Sequence, residues 1–175
     1  MSKEILSKKL IEIGAIRFGT FVLKSGRVSN YYVDIKYAST FPDVLKLIGE
    51  ELSKKVSGYD IMAGIELGAV PLMAAASIIA GIPYLIIRKK EKEYGVRERV
   101  IGNFEKGQRV VIVEDVTTTG SSALEVVDLL TSLGLTVEKI VCVVDREEGA
   151  AENIARRNII FEPILRISEI KRNGV

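Results

Sequence analysis

Two runs, RVVIV at 109–113 and KIVCVV at 139–144, are apolar at every position after the first. Successive side chains of a strand point to opposite faces, so a strand with one wet face alternates apolar and polar residues. A strand without such alternation has no wet face. That is the condition of a parallel sheet covered by helices on both sides. The segments around these runs support it. Residues 43–56 place Val44, Leu45, Leu47, Ile48 and Leu52 at helical spacing, 69–81 read as a helix stopped by Gly81, and 121–134 read as a helix stopped by Gly134. Short apolar strands are predicted at 60–66, 83–89 and 108–115, and again at 137–146. Strands alternating with helices of this length define the α/β class.

The first forty residues break this rhythm. A helix is predicted over 3–13, and FGTFVLKSGRVSNYYVDIK (18–36) alternates apolar and polar around Ser25-Gly26, the pattern of a hairpin. The tail IIFEPILRISEI reads as shorter, mixed strand and helix. No repeat, low-complexity stretch or linker divides the chain, and 175 residues suit one domain, 1–175.

Composition removes several kinds of chemistry. There is no histidine, so there is no histidine general base, no Ser-His-Asp triad and no histidine metal site. The one cysteine, Cys142, lies inside an apolar run and reads as a small buried hydrophobe; a disulfide framework and a cysteine zinc site are excluded. A net charge of +2 gives no reason to expect nucleic acid or a membrane as partner. No apolar run approaches ~18 residues and the N-terminus has no apolar leader, so a cytoplasmic protein is expected.

The segment VVIVEDVTTTGSS (110–122) concentrates the remaining chemistry. In a parallel sheet, ligands bind beyond the C-terminal strand ends, where loops run into helix N-termini. There the unpaired N–H groups and about half a positive charge suit a phosphate. Thr117, Thr118, Thr119, Gly120, Ser121 and Ser122 make such a cradle. It is neither a P-loop nor a dinucleotide fingerprint, because neither glycine pattern occurs. Glu114 and Asp115 need a separate reason, since a phosphate gains nothing from adjacent anions. They fit if the phosphate is attached to a sugar whose hydroxyls they hold, or if they offset positive charge developing in a reaction. The plainer reading is a solvated strand end with a helix cap.

This segment resembles the phosphoribosyl pyrophosphate (PRPP) signature of the type I phosphoribosyltransferases. The resemblance implies that family's fold: a central, mainly parallel sheet flanked by helices, with a small N-terminal hood over about 1–40 and a core over about 41–175. It implies that Glu114 and Asp115 hold the ribose 2- and 3-hydroxyls, that Thr117 to Ser122 hold the 5-phosphate, and that Val116 also belongs to the PRPP site. The hood segment is similar to that of the orotate phosphoribosyltransferases: Lys24, Ser25, Gly26, Arg27 and Ser29 match, while Asn30 replaces a proline. There Lys24 reaches the site, and Tyr32 and Val33 match the positions that pack on the pyrimidine. RKKEKEYG (88–95) resembles the family's basic loop, which closes over pyrophosphate, commonly on the neighbouring subunit's site; a homodimer follows. Arg88, Lys89 and Lys92 carry over, with Lys89 and Lys92 catalytic beside Glu114 and Asp115, and Tyr94 stands where histidine is often found. AGIELGAVPLMAA (63–75) resembles the pyrophosphate loop, with Glu66, Leu67 and Gly68 at its centre and no lysine. Arg146, in VDR, matches the arginine near the orotate carboxylate, and Thr118 faces the base.

The implied reaction joins orotate to C1 of PRPP and releases pyrophosphate and orotidine 5'-phosphate, in pyrimidine biosynthesis. Mg²⁺ is the implied cofactor, carried on substrate phosphates and ribose hydroxyls rather than in a protein cage. Two rivals stand beside this reading. A purine or uracil phosphoribosyltransferase would offer Arg146 no carboxylate. A PRPP-sensing regulator often adds a DNA-binding helical domain, for which the chain holds no spare segment. A Rossmann-like binder would need the missing glycine fingerprint.

Overall fold

The computed structural model describes residues 2–22, 26, 28–89 and 97–174. The chain begins with α1 (Ser2–Glu12), an antiparallel hairpin of β1 (Ile16–Val22) and β2 (Val28–Val33), and the single turn α2 (Ile35–Ala38). Then come α3 (Pro42–Val56), β3 (Ile61–Ile65), α4 (Ala69–Ala80) and β4 (Tyr84–Ile87). After a 3-10 turn at Arg97–Arg99 follow β5 (Val100–Ile101), β6 (Arg109–Thr117), α5 (Ser121–Ser132) and β7 (Thr136–Asp145). The chain closes with α6 (Ala150–Ala155), β8 (Ile160–Arg166) and α7 (Ile167–Gly174).

The main sheet has the order β5-β4-β3-β6-β7-β8. It is parallel throughout except at β5, which runs antiparallel to β4 with Ile101 opposite Ile86. The unbroken apolar run of β6 follows from its place in the middle. Val111 and Val113 enter a cluster with Ile48 and Leu52 of α3 and Leu72 and Met73 of α4. Val110 and Ile112 enter a second cluster with Val126 and Leu130 of α5 and Ile140 of β7. Each face therefore has its own helical cover, and each fully buried Val or Ile contributes about 1.5–3 kcal/mol. Pro163 lies in β8, an edge strand, where a residue without an N–H breaks no ladder on the open side.

The expected alternation of strands and helices is present, as is the mainly parallel sheet. Three elements exceed the sequence reading. β5 is a two-residue strand inside a stretch read as polar and charged, α2 is one turn between hood and core, and α6 separates β7 from β8. All are too short to show a period. The hairpin is where it was expected, but Lys24, Ser25 and Arg27 lie outside the described residues, as do residues 90–96 of the basic loop with Lys92 and Tyr94. The N-terminal segment shares the core of the sheet: Leu6, Leu10, Ile16 and Ile35 are buried in the α3–α4 cluster. Among the described residues no helix is long and apolar enough to cross a membrane.

Candidate active site

A cleft opens at the C-terminal edge of the sheet, where β3 and β6 lie side by side. It is lined by Glu66 and Gly68 after β3, Lys89 after β4, Lys36 of α2, and Glu114 to Thr118 with Gly120 to Ser122 at the β6–α5 junction. The sheet order explains the gathering. β3 and β6 are neighbours in space but not in sequence, so the loops that follow them leave in different directions and a gap forms between them.

The β6–α5 turn supplies donors. Gly120 adopts φ 79°, a left-handed backbone that other residues rarely accept, and packs against Ile154 of α6. The first intrahelical bond of α5 runs from Leu124 N to Gly120 O (3.0 Å), so the N–H groups of Ser121, Ser122 and Ala123 precede it and have no partner within the helix. The turn is braced from outside, because Asn153 Nδ2 of α6 donates to Thr119 O at 2.9 Å. Thr119 Oγ1 and Ser121 Oγ lie 3.2 Å apart at its rim.

The two carboxylates are buried at the floor, Glu114 at 8% and Asp115 at 9% exposure. Burial pushes the Glu114 carboxyl up to about 8; the Asp115 charge adds to the shift, while Lys36 and Lys89 oppose it. Glu114 Oε1 has no hydrogen-bond partner among the described residues. Asp115 is held on three sides. Its Oδ1 accepts from Val116 N at 2.9 Å, its Oδ2 lies 2.8 Å from Lys36 Nζ, and Gly68 packs against it so closely that a Cβ there would overlap the carboxylate. The Lys36 contact is a charge contact, without good hydrogen-bond alignment at Oδ2.

The pyrophosphate-loop residues meet the root of the basic loop. Glu66 Oε1 accepts from Lys89 N (3.1 Å), and Glu66 N donates to Ile87 O (3.0 Å). Arg88 N donates to Arg99 O at 2.8 Å, and Arg99 returns a bond to Arg88 O at 3.4 Å, so the two ends of the segment are clasped. Leu67 stands exposed beside them.

Arg146 lies one strand over, beyond Asp145, which pairs with Thr117. Arg146 N donates to Thr117 O at 2.9 Å. Its side chain is largely buried: Nε donates to Glu148 Oε1 (2.8 Å), Nη2 lies 3.5 Å from Ser29 Oγ, and the guanidinium sits 4.8 Å from the centre of the Tyr31 ring. Tyr31 also donates its hydroxyl to Arg146 O at 3.2 Å. Tyr32 and Val33 are adjacent on β2, so their side chains point to opposite faces. Tyr32 turns toward Arg17, Phe21 and Asp34. A ligand facing both positions would meet one side chain and the other's backbone.

The structure thus brings together Glu66, Gly68, Lys89, Glu114, Asp115 and the 116–122 turn, with Arg146 on the adjoining strand. Lys36 and Tyr31 escaped the sequence reading. The signal for Lys36 was a lysine two residues after Asp34, whose carboxylate caps α2 by accepting from Tyr37 N at 2.9 Å. The signal for Tyr31 was its place in the same alternating strand.

Known proteins resemble this chain in sequence and fold. The family description "Phosphoribosyl transferase domain" matches residues 42–171. The orotate phosphoribosyltransferase of Methanocaldococcus jannaschii is 48% identical over 170 residues, 97% of each chain. The crystal structure of orotate phosphoribosyltransferase from Aeropyrum pernix superposes with a TM-score of 0.86 at 31% identity, covering 95% of this chain and 96% of that one. The Mycobacterium tuberculosis orotate phosphoribosyltransferase in complex with PRPP gives a TM-score of 0.81 at 30% identity, covering 98% and 99%.

Proposed function

The chain belongs to the phosphoribosyltransferase family, among its orotate phosphoribosyltransferases, and from that premise we propose how its residues divide the transfer of phosphoribose from PRPP to orotate. One observation carries the division: a buried carboxylate pair and an open helix N-terminus share one cleft, with a buried arginine on the next strand.

PRPP lies along the β6–α5 turn. The α5 N–H groups and the hydroxyls of Thr117 to Ser122 take the 5-phosphate. Glu114 and Asp115 take the ribose hydroxyls, which give Glu114 Oε1 the partner it lacks. The diphosphate points toward the Glu66–Gly68 loop and Lys89, with Lys24, Arg88, Lys92 and Tyr94 completing the cover. Arg146 receives the orotate carboxylate, a planar anion that suits a guanidinium fork. Thr118, Tyr32 and Val33 border the ring. Orotate reacts as an anion, so no general base is required. The protein instead positions two anions and stabilises positive charge at C1 with carboxylates already in place.

Mg²⁺ fits this donor set. Every side-chain acceptor among the described residues lining the cleft is oxygen, and the buried Glu114 Oε1 has no partner among them. The ion would rest on substrate phosphate and ribose oxygens, with Glu66, Glu114 and Asp115 offsetting its charge; when bound it supplies charge neutralisation of the diphosphate. The same reading makes the enzyme a cytoplasmic homodimer whose 88–99 loop covers the partner's site.

The test is a steady-state assay with PRPP and Mg²⁺, offering orotate, uracil, hypoxanthine and adenine in parallel. Asp115→Asn and Lys92→Ala are run alone and mixed. Consumption of orotate alone, lost in each variant, is expected. If loops cross between subunits, mixing should restore about a quarter of the sites, because half the dimers are mixed and each has one intact site. Turnover of a neutral base would remove Arg146 from the acceptor site, and no recovery on mixing would remove the shared loop.

A further inference from the structure

Lys36 ends the hood segment and matches none of the positions that carry the resemblance, yet it is in the cleft. It comes from α2, the one-turn helix between the hairpin and the core, and its ammonium lies 2.8 Å from Asp115 Oδ2. We propose that Lys36 is a positioning residue of the donor site, fixing the Asp115 carboxylate and offsetting its negative charge so that a polyanionic phosphorylated sugar can enter. The proposal rests on the reading of the cleft given above.

The first argument is charge. Glu114, Asp115 and Glu66 face the space a triply phosphorylated sugar must occupy. Among the described residues lining that space, Lys36 and Lys89 are the cations. Lys89 stands at the root of the basic loop, where its N–H is bound by Glu66. Lys36 is the one of these two within ion-pair distance of Asp115. Asp115 strengthens the hold of Lys36 on its proton, with Asp34 and Glu114 adding to it, so the ammonium stays charged through the working range.

The second argument is geometry. Val116 N and Gly68 confine one oxygen and one side of Asp115. Gly68 packs closest to Oδ2 and Lys36 meets the same oxygen, so the lysine adds the charged contact that holds the carboxylate in the orientation it offers a ribose hydroxyl.

The third is placement. Asp34 accepts from both Tyr32 Oη (3.2 Å) and Tyr37 N (2.9 Å), so the hood strand β2 runs rigidly into α2. Among the described residues of the 1–40 segment, Lys36 is the one that lines the cleft. The side chain is about half exposed and packs into no core, so its replacement should leave the fold intact.

The experiment compares wild type, Lys36→Met and Lys36→Arg for PRPP KM, orotate KM and kcat, at low and high Mg²⁺, with melting temperature as a check on folding. The expected result is a rise in PRPP KM of about tenfold in Lys36→Met, the size of one lost charge-assisted contact. Orotate KM should stay within about twofold, Lys36→Arg should recover most of the loss, and excess Mg²⁺ should narrow the gap by supplying the missing charge. A PRPP KM unchanged in Lys36→Met would overturn the proposal, as would a fall in KM, which would make Lys36 a competitor of the sugar. Equal loss in Lys36→Arg and Lys36→Met would also overturn it. A wild-type protein that turns over no orotate with PRPP would instead overturn the reading of the cleft, leaving a different signature from any of these.

Discussion

Glu114 is buried with one carboxylate oxygen unpartnered, and burial pushes its carboxyl up to about 8. A carboxyl that titrates higher in the folded chain than its ordinary 4.5 favours folding by less as it ionises. Its stability contribution is intact below about 4.5 and is lost as pH rises through about 8. Glu114→Gln removes the titration while keeping the shape. The unliganded variant should therefore melt close to wild type near about pH 5 and above it near about pH 9, by a few kcal/mol at most, at roughly 1.4 kcal/mol per pKa unit. PRPP should narrow that gap by giving Oε1 a hydroxyl to bind. A gap that ignores pH would mean that water already satisfies the carboxylate. The same variant should be a poor catalyst, so the residue is kept at the expense of alkaline stability, in keeping with the trade between function and stability at active sites.

Between elements, the junction around Arg146 is the most informative. The hood strand β2 supplies Tyr31 and Ser29, the turn after β7 supplies Glu148, and all three hold the guanidinium. Glu148 thus occupies the arginine that an acceptor carboxylate would need. Glu148→Gln should lower orotate KM about threefold and leave PRPP KM unchanged, since the competing charge is gone while an amide oxygen still aligns the side chain. A rise in orotate KM would instead show that Glu148 holds the guanidinium in its binding orientation. This junction also shows what a sequence can disclose. The strands and the long helices were readable because their apolar periods extend over many residues, as in 109–113 and 121–134. The β6–α5 turn was readable because its acids, hydroxyls and glycine are contiguous. Arg146 was readable only through resemblance, and its partner Tyr31 lies 115 residues away, where no local pattern connects them. Lys36 is the limiting case: a surface-type lysine on a four-residue helix, it carries no periodic signal, and only the packing of α2 beside β6 brings it to Asp115.

On the scale of the whole molecule, β6 joins two halves that differ in how the chain reaches them. β7 follows β6 through a single helix and β8 follows β7 in the same way, whereas β3 is separated from β6 by α4, β4 and β5. Pairing β3 with β6 therefore closes a loop of about fifty residues and costs more chain entropy than either neighbouring pairing. The 109–166 half should assemble early and the β3–β6 seam late. The cleft straddles that seam, with Glu66 and Gly68 on one side and Glu114 and Asp115 on the other. In refolding from denaturant, helical circular dichroism should return before enzymatic activity, and shortening Val113 should slow the second phase more than the first; simultaneous return would place the seam in the early nucleus. A chain arrested before the seam closes would already hold the β6–α5 turn, while Asp115 would lack Gly68 and Arg146 would lack Ser29 and Tyr31 of the hood strand. With the seam closing last, catalytic competence would report the last tertiary contact to form, and a half-made molecule would have no means of consuming its substrate.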